Sequence, residues 1–230
     1  MKVVLCGPAQ SGKSCLREGL KQAIRRIPGA PYPYVITACP DGEGSWYSEA
    51  ARRNPELARQ LKAANKAKFT PEFAQVAAQW VRDTPLPFNI IDVGGKIDEK
   101  NRLIMTHATH AVILAGDMNK VPAWKEFCSQ LNLKIIALIH SDYHGVSDRV
   151  KRSYSDSAAL ASLRLRSMRE ARTSERASAL LLTAHRLESE TPILQGSIHY
   201  LERGQDVSTR PMVQALARLL IHLSTQGFSK

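Results

Sequence analysis

The sequence has few cysteines and no two of them in a C-x-x-C arrangement. Its 230 residues include four, at positions 6, 15, 39 and 128. Zinc sites and disulfide frameworks normally need closely spaced cysteines, so this distribution argues against both. A chain of this length buries enough surface to fold without such cross-links. Two of the four fall inside predicted core elements, so we expect buried free thiols.

Long apolar runs are also lacking. No stretch approaches the roughly 18 apolar residues that a membrane span needs, and the apolar run after Lys2 is too short for the core of a signal peptide. We therefore expect a cytoplasmic protein with no membrane segment. Internal repeats and low-complexity tracts are absent from the sequence, and we expect a single domain over residues 1–230.

Acidic residues are fewer than basic ones. The chain has 32 Lys and Arg against 21 Asp and Glu, which gives a formal net charge of +11. This balance favours association with anions such as nucleotides, nucleic acids or anionic lipid, and it carries no information about the fold. The excess is uneven, because basic residues strongly outnumber acidic ones between 149 and 186.

Short apolar strands alternate with helical patterns along most of the chain. Strands are predicted at 2–6, 34–39, 88–93, 111–115 and 134–140, with an extended stretch at 192–201. Helices are predicted at 14–27, about 47–65, 71–83, from Pro122 onward, 153–190 and about 211–224. This order predicts a three-layer α/β fold with a mostly parallel sheet and helices on both faces. The helix at 153–190 would form an Arg-rich arm or lid, inserted before the last strand and helix.

One stretch after the first strand, Gly7-Pro8-Ala9-Gln10-Ser11-Gly12-Lys13-Ser14, fits the pattern G-x-x-x-x-G-K-[ST] in full. It follows a predicted strand and opens a predicted helix, where backbone N–H groups and the helix dipole converge on a phosphate. The lysine is a mobile charge for the β- and γ-phosphates, and the serine hydroxyl suits Mg²⁺. A plain glycine-rich turn is the alternative. We predict the P-loop of a nucleoside triphosphatase, with ligand contacts from Gly7, Ala9, Gln10, Ser11, Gly12, Lys13, Ser14 and Cys15.

A second half of this site is expected at the end of the strand over 88–93. Asp92 ends an apolar run and is suited to hold magnesium through its water shell, so we predict Ser14 and Asp92 as the metal residues. Asp92-Val93-Gly94-Gly95 also forms a D-x-x-G sequence, in which the amide of Gly95 would meet the γ-phosphate. A simple strand-to-loop turn is the alternative for this sequence.

The motif Asp41-Gly42-Glu43-Gly44-Ser45-Trp46 follows the second predicted strand. In a doubly wound sheet this position lies at the carboxyl ends of the strands, beside the predicted P-loop. Asp41 is predicted to face an acceptor hydroxyl and accept its proton or orient it, with Glu43 as the substitute. Trp46 would wall a base or sugar. The alternative is a solvated turn with the tryptophan in the core.

Histidines offer weaker candidates. His107 and His110 have H-x-x-H spacing but straddle a helix end and a strand start, which favours core or surface roles over a metal site. A group after the fifth strand, His140, Asp142 and His144, could touch a nucleotide base. The guanine-reading pattern N-K-x-D is absent there, so ATP is the expected nucleotide.

The predicted arm carries Arg164, Arg166, Arg169, Arg172 and Arg176. An arginine of this arm, represented by Arg164, would neutralise charge on the transferring phosphate. The arm could equally bind the backbone of RNA with strong salt dependence. For most of these arginines a solvated helix face is the expected role.

Taken together, the Gly-Pro…Ser-Gly-Lys-Ser loop, the word Cys-Pro-Asp-Gly-Glu-Gly-Ser-Trp at 39–46 and Asp-Val-Gly-Gly at 92–95 resemble a known family. They are similar to the P-loop NTPase domain that accompanies, often as a fusion, the small ring-nuclease-like protein of type III CRISPR systems. The resemblance covers about residues 5–140. It implies a role in antiviral defence and a ring-nuclease-like partner, which here would be a separate chain.

These features predict a Mg-ATP-dependent phosphotransferase of the P-loop kinase type, with a small-molecule or nucleic-acid acceptor. Lys13, Asp41, Asp92, Glu43 and Arg164 are the predicted catalytic residues. The alternative from a different class is a regulatory ATPase switch that binds a partner protein or RNA. A nucleotide-binding module without useful turnover is a third interpretation. We also expect a homo-oligomer.

Overall fold

The computed structural model describes residues 1–40, 68–152, 194–202 and 204–226, with isolated positions between 53 and 64. The strands in these ranges are β1 (Lys2–Cys6), β2 (Tyr34–Thr37), β3 (Asn89–Asp92), β4 (His110–Ala115), β5 (Lys134–Asp142), β6 (Arg149–Arg152) and β7 (Leu194–His199). The helices are α1 (Lys13–Arg25), α2 (Pro71–Asp83), α3 (Glu99–Met105), α4 (Val121–Gln130) and α5 (Pro211–Gln226), with a 3₁₀ turn at Met118–Lys120. The predicted arm at 153–190 and most of the predicted helix at 47–65 lie outside the described residues.

The strands form one sheet in the order β2-β3-β1-β4-β5-β7-β6. All neighbouring strands are parallel except β6, which runs antiparallel to β7. From β1 the chain passes through α1 to β2 and β3 on one side, then crosses to β4 on the other. The strand order therefore reverses at β1, and ligands of open α/β sheets bind outside the strand ends at such a point.

The side chains of β1 divide the core into two halves. Val3 and Leu5 face the layer formed by α1 and α5, whereas Val4 and Cys6 face the layer formed by α2, α3 and α4. All four are completely buried. Strands covered on both faces read as continuous apolar runs, which is why short apolar runs in the sequence located them. The predicted α/β architecture, with a mostly parallel sheet and helices on both faces, is confirmed.

Helix α2 begins and ends where its local signals place it. The Thr70 side chain accepts a hydrogen bond from the backbone N–H of Phe73, and Pro71 occupies the first turn. The first N–H groups of a helix have no partner within it. A threonine cap accepts a hydrogen bond from one of them, and proline in the first turn has no N–H to satisfy. The predicted helix at 71–83 is confirmed. Every helix in the described part of the chain is too short or too polar to cross a lipid bilayer.

Strand β6 was missed by the sequence prediction, and helix α3 was expected only through its end near His107, without bounds. Strand β6 has a single apolar residue, Val150, among basic ones, and so lacks the alternation that marks a half-buried strand. It pairs with β7 only at the margin of the sheet, where charged residues are common. Helix α3 is seven residues long and gives little periodicity; it begins where the Asp98 side chain accepts from the N–H of Asn101.

All four cysteines are free, as expected, and Cys6, Cys39 and Cys128 are buried. The Sγ atoms of Cys6 and Cys128 lie 3.8 Å apart, between β1 and α4. The hydrogen bond to Cys128 and burial raise the pKa of the Cys6 thiol well above its usual value. Because the thiolate is the reactive form, this raised pKa favours a packing role for the pair.

His110 at the start of β4 predicts how stability depends on pH. Burial, then Lys134 on the neighbouring strand and the N-terminal amine, lower the pKa of His110 from 6.5 to about 4. An unfolded histidine binds its proton at higher pH, so the stability from this group is complete above pH 6.5 and is lost as pH falls to about 4. Because the ring is only half-buried, we expect the loss to be about 1–2 kcal/mol.

The measurement is urea denaturation across this pH range. His110→Gln should flatten the acid side of the profile, because glutamine does not titrate. His144→Gln is the control, since His144 is exposed and its replacement should leave the slope unchanged. An unaltered slope for His110→Gln would contradict the assignment.

Candidate functional site

The loop between β1 and α1 lies at the carboxyl end of β1, where the strand order reverses. Its backbone takes positive φ values at Gly7 (132°), Gln10 (63°) and Gly12 (80°). A Cβ built on Gly7 would lie 2.0 Å from the carbonyl oxygen of Leu114 on β4, so the close approach of the two strands admits only glycine. Gly12 caps α1 in the left-handed conformation without a side-chain hydrogen bond.

Lys13 is folded back over this loop. Its side chain is buried, and its ammonium donates to the carbonyl oxygens of Gly7 at 3.0 Å and Pro8 at 2.9 Å. The Ser11 hydroxyl also donates to Pro8, at 2.7 Å. A lysine bonded to neutral carbonyls gains from exchanging them for an anionic oxygen, because charge-assisted hydrogen bonds to an anion are stronger. The loop thus holds a positive charge to which a phosphate could bind.

A carboxylate from another strand reaches the start of α1. The register pairs Leu5 with Asp92, which brings the end of β3 beside the loop after β1. The Ser14 hydroxyl donates to Oδ2 of Asp92 at 3.1 Å, although 78 residues separate the two. A hydroxyl that gives its proton to a carboxylate turns its lone pairs elsewhere and can still ligate a cation.

Arg17 completes this cluster and was missed by the sequence analysis. Its Nη1 donates to Oδ2 of Asp92 at 3.3 Å and to the Thr37 hydroxyl at 3.1 Å, and both charged side chains are buried. The pair gives the buried carboxylate the opposite charge that burial demands. The available signal was its place three residues after Ser14, on the same side of α1.

The oxygen atoms of Ser14 and Asp92 fit a magnesium ion. Mg²⁺ usually keeps several waters and takes one or two protein oxygens together with substrate phosphates. Within the described residues no group of three or more His, Cys, Asp or Glu side chains is arranged for a metal. A hydroxyl and one carboxylate beside the loop after β1 match the sparse ligand set of magnesium better than that of a metal held in a closed protein cage.

The loop after β3 touches the loop after β1. The backbone N–H of Ala9 donates to the carbonyl of Gly95 at 3.1 Å, and a Cβ built on Gly95 would lie 2.4 Å from the Ala9 backbone. Asn101, also missed from sequence, is completely buried: its side chain accepts from the N–H of Gly94 at 3.1 Å and donates to the carbonyl of Lys96 at 2.7 Å. The two loops therefore form one continuous surface.

These loops enclose a pocket of about 450 Å³, a volume within the usual range of small-molecule sites. Its wall among the described residues consists of Ala9, Gln10, Ser11, Gly12, Lys13, Ser14, Cys15, Cys39, Phe69, Asp92, Val93, Gly94, Gly95, Lys96, Asp98, Lys100, Asn101 and Leu201. The pocket combines the start of α1, the end of β3 and the segment that leads into α3.

Most of the predicted ligand residues lie in this wall. The structure brings together Ala9, Gln10, Ser11, Gly12, Lys13, Ser14, Cys15, Asp92 and Gly95. Gly7 lies against Leu114 instead. The group predicted to follow the fifth strand is placed differently, because β5 extends to Asp142 and includes His140, and only His144 follows it; none of the three is in the described pocket wall. Predictions for Asp41, Glu43, Trp46 and Arg164 fall outside the described residues.

Neither protein-family models nor curated proteins match this chain. Its function is therefore inferred from the chemistry of the pocket.

Replacing Arg17 tests the buried ion pair. Arg17→Met leaves the Asp92 carboxylate without its guanidinium, and we expect the free energy of unfolding to fall by about 3 kcal/mol. Arg17→Lys should lower the free energy of unfolding by less, because lysine keeps the positive charge. It loses only the planar guanidinium that reaches both Thr37 and Asp92.

The double variant Arg17→Met with Asp92→Asn serves as the control in urea denaturation. Removing both charges should restore part of the lost stability, which gives a non-additive cycle. Strictly additive effects of the two substitutions would show that the charges do not interact.

Proposed function

We propose that the chain has a P-loop NTPase fold and that residues 7–14 bind the triphosphate of ATP. The observation that carries the proposal is the 3.1 Å hydrogen bond from Ser14 to Asp92. A phosphate-loop pattern by itself also occurs in plain turns, but here its serine lies beside an acid at the end of the adjacent strand. This pairing is what a magnesium-bound triphosphate requires.

In this proposal each residue of the loop has a distinct role. Backbone N–H groups of the loop and of the first turn of α1 donate hydrogen bonds to the phosphate oxygens. Lys13 exchanges its carbonyl partners for oxygens of the β- and γ-phosphates. Ser14 and Asp92 hold Mg²⁺, which would neutralise charge on the phosphates. Arg17 keeps the carboxylate oriented toward Ser14.

The reaction proposed is transfer of the γ-phosphoryl group to an acceptor. The acid-bearing word at 41–46 supplies Asp41, with Glu43 as its substitute, on the acceptor side, and an arginine of the arm such as Arg164 caps the γ-phosphate. These roles rest on the sequence. ATP is the proposed donor because β5 ends in His140-Ser141-Asp142 and the chain has no N-K-x-D.

The proposed biological setting follows from the resemblance. From it we infer a link to type III CRISPR defence and a ring-nuclease-like partner chain; the cytoplasmic location is proposed from the sequence, and a homo-oligomer is proposed separately. The Arg-rich stretch at 153–190 would then bind RNA or another anion. The net charge of +11 supports an anionic partner in general terms.

A regulatory ATPase switch is the second candidate. It is favoured by the hydrogen bond from Ala9 to Gly95, because that contact links the loop after β3 to the phosphate end of the pocket. A change in one loop on hydrolysis would be transmitted to the other.

Lys13→Ala tests the proposed ATP site. Loss of charge-assisted hydrogen bonds should weaken Mg-ATP binding by about 10- to 100-fold in titration calorimetry. The matched control is Lys125→Ala, an exposed lysine of α4 outside the pocket wall, which should bind as the parent does. Equal affinity in parent and Lys13→Ala would refute the site.

With γ-labelled ATP and candidate acceptors, label should appear on an acceptor and depend on Lys13. Release of free phosphate alone, whatever acceptor is present, would favour the switch.

Gly95→Ala tests the contact between the two loops. The added Cβ would meet the Ala9 backbone, and overpacking of this kind costs about 1–3 kcal/mol, so we expect ATP affinity to fall about 10-fold. Gly116→Ala is the matched control at the same edge of the sheet. Its added Cβ would lie 3.5 Å from the nearest atom, the Ser141 carbonyl oxygen, which is an ordinary van der Waals contact. Similar ATP affinities for the two variants would contradict a role for this contact.

A further inference from the structure

The pocket has a basic side that the triphosphate does not account for. Two lysines, Lys96 and Lys100, line it together with Phe69, and we refer to these three residues as the basic wall. The Lys100 ammonium donates to the carbonyl oxygen of Phe69 at 2.8 Å and lies 4.8 Å from the centre of its ring. Lys96 directly follows Gly95, and its side chain is exposed.

The described acids of the pocket form hydrogen bonds and an ion pair with groups other than the lysines of the basic wall. Asp92 is bonded to Ser14 and Arg17, and Asp98 accepts from the backbone N–H of Asn101 at the start of α3. Within the described residues no salt bridge joins Lys96 or Lys100 to a carboxylate. One N–H of Lys100 is used on Phe69, which leaves its other donors and those of Lys96 for a ligand.

The composition of the wall indicates the class of that ligand. Two ammonium groups favour a group with two negative charges, such as a phosphomonoester. Phe69 is half-buried, and its aromatic ring in the pocket wall suits a planar ring of the ligand. Resting on the proposed ATP site, we propose that the acceptor is a nucleoside 5′-monophosphate, with its phosphate at Lys96 and Lys100 and its base against Phe69.

The contact between the loops places this acceptor next to the donor end of the pocket. Gly95 is bonded to Ala9 of the phosphate loop, and Lys96 is the next residue along the chain. A phosphate held by Lys96 therefore lies beside the position of the ATP γ-phosphate. Positioning two reactants in this way is the largest part of what phosphoryl transfer needs from a protein.

The chemistry is balanced without a proton acceptor. An oxygen of the monophosphate attacks the γ-phosphorus, the bond from that phosphorus to the β,γ-bridging oxygen breaks, and its electron pair leaves with ADP. ATP⁴⁻ and the monophosphate dianion become ADP³⁻ and a nucleoside diphosphate trianion, so the charge is unchanged. Both described carboxylates of the pocket are already engaged, and a phosphate nucleophile requires neither as a base.

The experiment measures transfer from ATP to AMP, GMP, CMP and UMP by the full chain. At least one should be phosphorylated, and Lys96→Met should raise its KM about 10-fold or more while the KM for ATP stays within about twofold. Lys96→Arg should restore most of the loss. Lys68→Met is the matched control, since Lys68 is exposed near Phe69 but outside the pocket wall.

Calorimetry with the same monophosphate, in the presence of magnesium and a non-hydrolysable ATP analogue, gives a readout independent of turnover. Lys96→Met should weaken this binding by a similar factor. Because Lys96 is exposed, the Lys96→Met variant should fold. Lys100→Met also loses the hydrogen bond to the Phe69 carbonyl, so a loss of binding in that variant is only supporting evidence.

The failures of the two proposals are distinguishable. If ATP binds but no monophosphate is bound or phosphorylated, the acceptor assignment is overturned and the ATP site stands. Preference for a 5′-phosphorylated oligonucleotide, or a Lys96→Met effect on the KM for ATP instead, also overturns the assignment. If ATP does not bind, both proposals are overturned.

Discussion

The side-by-side pairing of β1 and β3 is the constraint on which the site depends. Neighbouring strands lie about 4.8 Å apart, so an acid at the end of β3 is within one hydrogen bond of the helix that starts after β1. The register of Leu5 with Asp92 aligns the two strand ends. With another strand between them, the carboxylate would be about 5 Å farther away and the bond from Ser14 could not form.

Burial of Asp92 then determines the residues around it. A carboxylate 4% exposed needs opposite charge and hydrogen-bond donors, and α1 supplies both on one side, from Ser14 and Arg17. Arg17 also donates to Thr37 at the end of β2. The Arg17 guanidinium thereby joins the start of α1 to the ends of β2 and β3, which gives the floor of the pocket a defined geometry before any ligand arrives.

Local signals in the sequence were sufficient to predict the parallel strands of the sheet, the loop after β1 and the start of α2. Buried strands of a parallel sheet are short apolar runs, the phosphate-loop pattern spans eight consecutive residues, and Thr70 with Pro71 marks a helix start; each is legible without knowing what packs nearby. Asp92 was predicted on the same basis, as an acid that ends an apolar strand. Strand β6 lacked any such signal, since a basic segment at the sheet margin has no alternating pattern.

Only the tertiary structure decided which of these residues meet. The bond between Ser14 and Asp92, the ion pair of Arg17 and the bridging of Gly94 and Lys96 by Asn101 join residues from different elements or turns. The basic wall likewise draws on the segment before α2 and on the start of α3. Such contacts depend on strand order and register, which are set by packing over the whole sheet, so a local pattern supplies the residues while the fold supplies their proximity.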